Sequence, residues 1–186
     1  IAYAHGVCAT ASVYDGQRHI VVVATTSFDD ELQVQIRVGR RVPMLASSTG
    51  RCIAAFNPFT QKQLRSAFAD ASWQTPLGFE AWHAQLDQVR RERIAVDQGW
   101  YRKGITLMSA PVFSADGQAR QFVGLLAITA QLDAARRKAL LQDLRPVAAT
   151  CWNQGGGINA PLLADQLKRA PQPQDGSHQV MQSQLF

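Results

Sequence analysis

The amino-acid sequence predicts an α+β domain in which helices flank a mostly antiparallel sheet. Three features of the hydrophobic pattern carry this prediction. Apolar residues alternate with polar ones near the N-terminus, recur at helical spacing in the middle of the chain, and form two β-rich segments before a last helical stripe. Alternation is typical of strands, and a period near 3.6 residues is typical of amphipathic helices. Elements in this order suit an α+β domain.

The N-terminal part is predicted to contribute three strands. Residues 7–13 alternate between apolar and polar side chains, and Asp15-Gly16 is a turn dipeptide. The largely apolar segment 19–25 then returns as a more fully buried partner. Alternation resumes at Leu32, Val34, Ile36 and Val38, which predicts a third strand.

The middle of the chain is predicted to form helices. Thr60 and Gln63 fit a capping box at the start of one helix. Phe79, Trp82, Leu86 and Val89 recur at helical intervals, so residues 80–91 should form an amphipathic helix. A short edge strand is expected to follow at 94–97.

A long hairpin and a closing helix complete the predicted domain. The β-rich segments 104–113 and 121–130 are joined through Asp116-Gly117, which predicts a hairpin at the centre of the sheet. Apolar residues then recur at helical spacing up to Trp152, with Asp133 as a possible cap. Pro146 is expected to kink or divide this helix.

The composition bounds the domain organisation. With 186 residues and 46% hydrophobic residues, the chain suits one globular domain over 1–155 and a partly disordered, polar extension over 156–186. The formal charge is +5, but the basic residues are dispersed, which favours a solvated surface over direct DNA contact. Because the chain opens with Ile, we expect it to be part of a longer protein.

The cysteine and histidine residues predict no disulfide framework and no metal or cofactor site. Cys8, Cys52 and Cys151 lie far apart, and the histidines show no ligand spacing. Buried reduced thiols in a cytoplasmic protein are the favoured interpretation. No signal peptide or transmembrane run is evident, so we expect no membrane partner.

The segment 42–56 is predicted to carry the functional site. Pro43 favours an extended entry, and Ser47 or Ser48 could cap a short helix that ends before Pro58. Gly50 allows another backbone to approach the first turn. A helix start with free N–H groups and hydroxyls could bind a carboxylate or another oxyanion. The alternative is an ordinary helix start packed on a core.

Several segments resemble signatures of the IclR family of bacterial transcriptional regulators. Residues 38–52 resemble "vGrrlPlhatAlGkA", and residues 89–97 resemble "vR..Gya.D". Residues 104–113 match "GvraiaaPVf", and residues 126–129 fall at "lsvsgp". The resemblance extends from Val7 to about residue 155 and covers the effector-binding domain only.

The resemblance implies a GAF-like (profilin-like) sheet domain that senses a small molecule. The operator DNA is bound through an N-terminal winged helix-turn-helix, which is absent from this chain. Family members associate as homodimers or homotetramers. The positions at which relatives contact the effector are, in this sequence, Ser48, Thr49, Asp97, Leu107, Ala127 and Thr129.

The sequence departs from the family signature in ways that predict a less polar pocket. Leu45 stands where the signature has His, and Ala127 stands where relatives often have Ser. Trp100 and Met108, with Tyr101, Leu107 and Phe122, are candidates to line the pocket or simply to fill the core. The expected effector is aromatic or largely apolar and bears a carboxylate or hydroxyl. Asp97 could accept a hydroxyl proton or fix a neighbouring donor. The alternative is an ordinary surface or ion-paired carboxylate, for which Arg102 is a candidate partner.

Two other functional classes are alternatives to an IclR-type sensor. An enzyme is not expected, because Ser47, Ser48 and Thr49 have no predictable His partner and no phosphate loop or G-x-S-x-G elbow is present. A GAF-type sensor serving another output, such as a signalling kinase, remains the second hypothesis.

Overall fold

A computed structural model describes residues 1–26 and 34–153 of the chain. The helices are α1 (Ala2–His5), α2 (Ser47–Phe56), α3 (Gln61–Asp70), α4 (Phe79–Glu92) and α5 (Ala134–Asn153), with a 3₁₀ turn at Thr129–Gln131. The strands are β1 (Cys8–Tyr14), β2 (His19–Thr25), β3 (Arg41–Pro43), β4 (Ala95–Gln98), β5 (Ile105–Phe113) and β6 (Ala119–Ile128).

The strands form one six-stranded sheet in the order β3-β2-β1-β6-β5-β4, and every neighbouring pair is antiparallel. The predicted α+β class with a mostly antiparallel sheet is therefore confirmed. β5 and β6 form the long hairpin expected from the sequence, with Met108 opposite Leu125. β4 lies at one edge of the sheet, as expected for the segment 94–97.

Helices cover both faces of the sheet. On one face, α2 and α4 pack Ile53, Trp82 and Leu86 against Phe122. On the other face, α5 packs Leu140 and Leu144 against a separate cluster of strand residues, which includes Met108. Because side chains of a strand alternate between faces, β5 and β6 contribute to both cores.

Local side-chain contacts confirm the predicted turn and helix starts. The Asp15 carboxylate accepts hydrogen bonds from the backbone N–H groups of Gln17, Arg18 and His19, which fixes the β1–β2 turn. Thr60 and Gln63 form the reciprocal capping box of α3. The Asp133 carboxylate accepts from the N–H of Arg136 at the start of α5.

Three details differ from the sequence-based expectations. The described part of the predicted third strand, from Val34 to Val38, forms no strand, although its apolar side chains are half-buried. A turn at 37–40, with Gly39 at a φ of 82°, delays sheet pairing until β3. The chain begins with a one-turn helix, α1, before the first strand, and α5 continues through Pro146 without division.

Some expectations concern residues outside the described ranges. Leu32 lies there, as does the whole 156–186 extension, so the domain boundary near residue 155 stays a prediction. Within residues 1–26 and 34–153, none of the helices is both long enough and apolar enough to cross a membrane.

Candidate functional site

The start of helix α2 has an unusual backbone. Ala46 occupies the N-cap position in an extended conformation, and no side chain caps the helix there. Ser47 follows with a φ of 63°, in the left-handed region that few residues other than glycine adopt. The prediction that Ser47 or Ser48 caps α2 is wrong, because the cap falls one residue earlier, on a residue without a polar side chain.

Gly50 is required for this tight entry into α2. A Cβ atom at Gly50 would overlap the backbone of Leu45, which is itself fully buried. The predicted close approach of a backbone to the first turn is therefore confirmed. The approaching segment is the turn that immediately precedes the helix.

A buried hydroxyl cluster lies where the first turn of α2 meets β5. The Oγ of Ser48 and the Oγ1 of Thr49 each lie 2.8 Å from the Oγ of Ser109. All three residues are buried. Since a hydroxyl donates once and accepts twice, Ser109 can satisfy both neighbours only by accepting from at least one of them. Ser109 was missed from the sequence, although a serine in the apolar segment 104–113 is itself a signal.

A small cavity of about 50 Å³ adjoins this hydroxyl cluster. Its walls are formed by Thr10, Ser12, Ile20, Val22, Ile36, Val42, Ser47, Ser48, Thr49, Leu107, Met108, Ser109, Gly124, Leu125 and Leu126. Among these described residues, none carries a charged side chain. Sites for small organic molecules usually measure about 300–1,000 Å³, so this conformation has room for water but not for an aromatic acid.

The structure brings four of the predicted site residues together and separates the others. Ser48, Thr49, Leu107 and Met108 line the small cavity. The remaining four lie elsewhere. Ala127 packs in the core under α5, and the hydroxyl of Thr129 lies 3.0 Å from that of Thr106. Trp100 lines a different cavity beside β4, and Asp97 is completely buried.

Asp97 forms a buried ion pair with Arg51. One carboxylate oxygen accepts from the Arg51 Nη1 at 2.9 Å, and the other accepts from the N–H of Tyr101 at 3.1 Å. Arg102, the partner considered from the sequence, instead stacks on the Tyr101 ring and donates to the carbonyl of Ser72. Of the alternatives for Asp97, the structure therefore shows an ion-paired carboxylate, with Arg51 in place of Arg102, and its complete burial contradicts a surface carboxylate.

Arg51 connects α2 to α4 and, through Asp97, to β4. Its Nε donates to the Gln85 side chain of α4 at 2.8 Å, and its Nη1 also donates to the Ser47 carbonyl at 2.9 Å. Its guanidinium lies 5.0 Å from the centre of the Trp100 ring. Burial lowers the pKa of Arg51 and the Asp97 charge opposes this shift. An arginine within the apolar run 50–55 is a sequence signal for a buried charge pair, and it is absent from the predicted site residues.

Other reactive groups near α2 are unsuited to chemistry. Burial raises the pKa of the Cys52 thiol well above its usual range, so the thiol stays protonated and unreactive. Within the part of the chain that the structure describes, no three His, Cys, Asp or Glu side chains converge as metal ligands would.

Comparison with known proteins places this architecture in a family. Residues 4–151 match the family model described as "Bacterial transcriptional regulator IclR C-terminal". The chain is 26% identical over 120 residues to the probable transcriptional regulator SauR of Cupriavidus necator, covering 63% of this chain and 48% of that protein. The chain therefore spans about half the length of this curated relative.

Solved structures share the fold. An IclR transcriptional regulator from Alicyclobacillus acidocaldarius superposes with a TM-score of 0.70 at 19% identity, over 80% of this chain and 61% of that one. The inducer binding domain of the PobR transcription factor from Acinetobacter, a double mutant in complex with 3-hydroxy benzoic acid, superposes with a TM-score of 0.63 at 17% identity, over 80% and 89%. By fold and by the extent of the family match, the chain belongs to the IclR family of bacterial transcriptional regulators and corresponds to its C-terminal domain.

Proposed function

We propose that this domain binds a small effector in the cavity at the start of α2. The observation that carries the proposal is the convergence of the hydroxyl groups of Ser48, Thr49 and Ser109 on an uncapped helix start with apolar walls. Free N–H groups at a helix start and the positive end of the helix dipole favour a negatively charged or strongly accepting group. The rest of the cavity favours an apolar body.

Binding an effector requires the cavity to enlarge. One wall is formed by Ile36, which belongs to a segment without regular secondary structure, and another is formed by the half-buried Leu107. Outward displacement of the 34–38 segment, which pairs with none of the six strands, would open the cavity without breaking the sheet. The left-handed Ser47 is consistent with a switch point, since residues in such conformations often cluster at sites that change shape.

The effector class follows from the walls of the cavity. Because no charged side chain lines it, a carboxylate there depends on backbone N–H groups and hydroxyls alone. An aromatic acid with one further hydroxyl matches this combination, and the similar PobR domain is described in complex with 3-hydroxy benzoic acid. In a cavity enlarged to admit an aromatic acid, a small keto acid would leave the apolar walls unfilled.

A thermal-shift series tests the effector proposal. Benzoate, 3-hydroxybenzoate and pyruvate are added separately to the protein, and ligand at 100 times its dissociation constant should stabilise the fold by about 2.7 kcal/mol. The aromatic acids should raise Tm. Ser109→Ala should weaken 3-hydroxybenzoate binding about tenfold. The control Ser114→Ala, which lies in the hairpin turn, should leave this binding unchanged. Stabilisation by pyruvate alone would overturn the effector class.

In the complete regulator, we propose that effector binding changes affinity for operator DNA. An N-terminal winged helix-turn-helix outside this chain makes the DNA contacts, and the protein is a cytoplasmic homodimer or homotetramer without catalytic activity. A coupling free energy of about 1–3 kcal/mol between effector and operator changes DNA affinity about five- to 150-fold. The family match favours this regulator over a sensor that serves a kinase.

A further inference from the structure

We propose that a cavity beside the edge strand β4 is a second ligand site, and that it takes a small organic monoanion with a flat apolar body. This cavity measures about 350 Å³, which lies within the usual range for small-molecule sites. Residues of α2, α4, β4 and α5 meet there around the edge of the sheet. It is separate from the α2 cavity, and the two share no lining residue.

One side chain that lines this cavity carries a buried donor without a partner. Arg51, which lines it, is only 1% exposed, and its Nη2 has no hydrogen-bond partner among the described residues. The Nε and Nη1 of the same guanidinium bind Gln85 and Asp97. A buried donor without an acceptor costs about 1–3 kcal/mol. An oxygen acceptor that reaches Nη2 would remove this cost, and it requires a local shift of the wall because Nη2 has almost no accessible surface.

The charges around the cavity favour a single negative charge on the ligand. The lining contains three charged side chains, and two of them have opposite charges nearby: Arg51 pairs with Asp97, and Glu92 lies 3.6 Å from Arg145. The third, Arg137 of α5, is half-buried and has no acidic partner among the residues that the structure describes. The lining therefore has one uncompensated positive charge, which a monoanion neutralises.

The remaining walls suit a flat apolar body. The half-buried Trp100 ring stacks near the Arg51 guanidinium, and Val96 and Leu141 add apolar surface. Aromatic rings prefer offset or edge-to-face contact with a second ring, so a ligand ring can lie against Trp100. The carboxylate of such a ligand would face the guanidinium groups of Arg51 and Arg137.

Benzoate is the probe for this site. Calorimetry should show saturable benzoate binding. In NMR spectra, benzoate should shift the indole N–H signal of Trp100, which the Trp100→Phe variant identifies. Arg137→Gln should weaken binding about tenfold or more. The matched control Lys138→Gln removes the same charge from an exposed neighbour in α5 and should leave affinity within about twofold. Benzamide, which lacks the charge, should bind more weakly than benzoate.

The outcomes separate this site from the α2 cavity. Retention of the Trp100 shift in Ser109→Ala, together with its loss in Arg137→Gln, supports the second site whether or not the α2 cavity binds an effector. Equal weakening by Arg137→Gln and Lys138→Gln means that benzoate senses only the overall charge, and it overturns the proposal. Loss of binding in Ser109→Ala but not in Arg137→Gln, or no saturable benzoate binding, overturns it as well.

Discussion

Replacing Asp97 with asparagine should destabilise the fold severely, because the change leaves a buried positive charge without compensation. Arg51 and Asp97 are 1% and 0% exposed, and their charged groups approach to 2.9 Å. Removing one partner from such a buried pair typically costs about 3–5 kcal/mol, which is a large share of the roughly 5–15 kcal/mol that stabilises a domain. We expect Asp97→Asn to lose about 3–5 kcal/mol of unfolding free energy.

Urea unfolding followed by circular dichroism measures this loss. The matched control is Asp87→Asn, which breaks an exposed pair with Arg90 in α4 and should cost less than about 1 kcal/mol. The double variant Arg51→Met/Asp97→Leu removes both charges. It should therefore cost clearly less unfolding free energy than the sum of the costs of Arg51→Met and Asp97→Leu measured separately. The reasoning fails if Asp97→Asn is no more harmful than Asp87→Asn, or if the single costs simply add.

Three further substitutions test other parts of the structure. Gly50→Ala should cost about 3 kcal/mol or more of unfolding free energy in urea, because the added Cβ overlaps the Leu45 backbone. The control Gly78→Ala, which has open space around it, should cost less than about 1 kcal/mol. Similar losses in the two variants would contradict the tight entry into α2. Thr60→Ala should cost about 1 kcal/mol by removing the α3 capping box, and an unchanged urea midpoint would refute this role. Desolvation raises the pKa of Asp15, but hydrogen bonds from the backbone N–H groups of the β1–β2 turn outweigh it and the pKa is lowered overall. The stabilisation by the charged Asp15 carboxylate is therefore complete above its unfolded pKa of about 3.9 and is lost as pH falls through the lower folded pKa. Asp15→Asn should accordingly flatten the decline of the urea midpoint below about pH 5. An unchanged decline in this variant would contradict the role of the Asp15 carboxylate.

Much of the fold could be predicted from the sequence because its signals are local. The hairpin of β5 and β6, the helix α4 and the capping box of α3 all depend on residues within a few positions of one another. The third strand was misplaced for the same reason. Alternation over 34–38 reports half-burial, whereas sheet pairing is decided by the turn at Gly39 and by hydrogen bonds between Val22 and the 39–40 backbone.

Local patterns placed the start of α2 to within a residue or two and indicated its buried face, since periodicity and turn chemistry act through neighbouring residues. The partners of its side chains depended on the tertiary structure. Ser48 and Thr49 bind Ser109, which is about 60 positions away, and Asp97 pairs with Arg51 rather than with the nearby Arg102. Such pairings are decided when sheet formation brings distant residues together, because a buried charge or hydroxyl must find a partner wherever packing provides one.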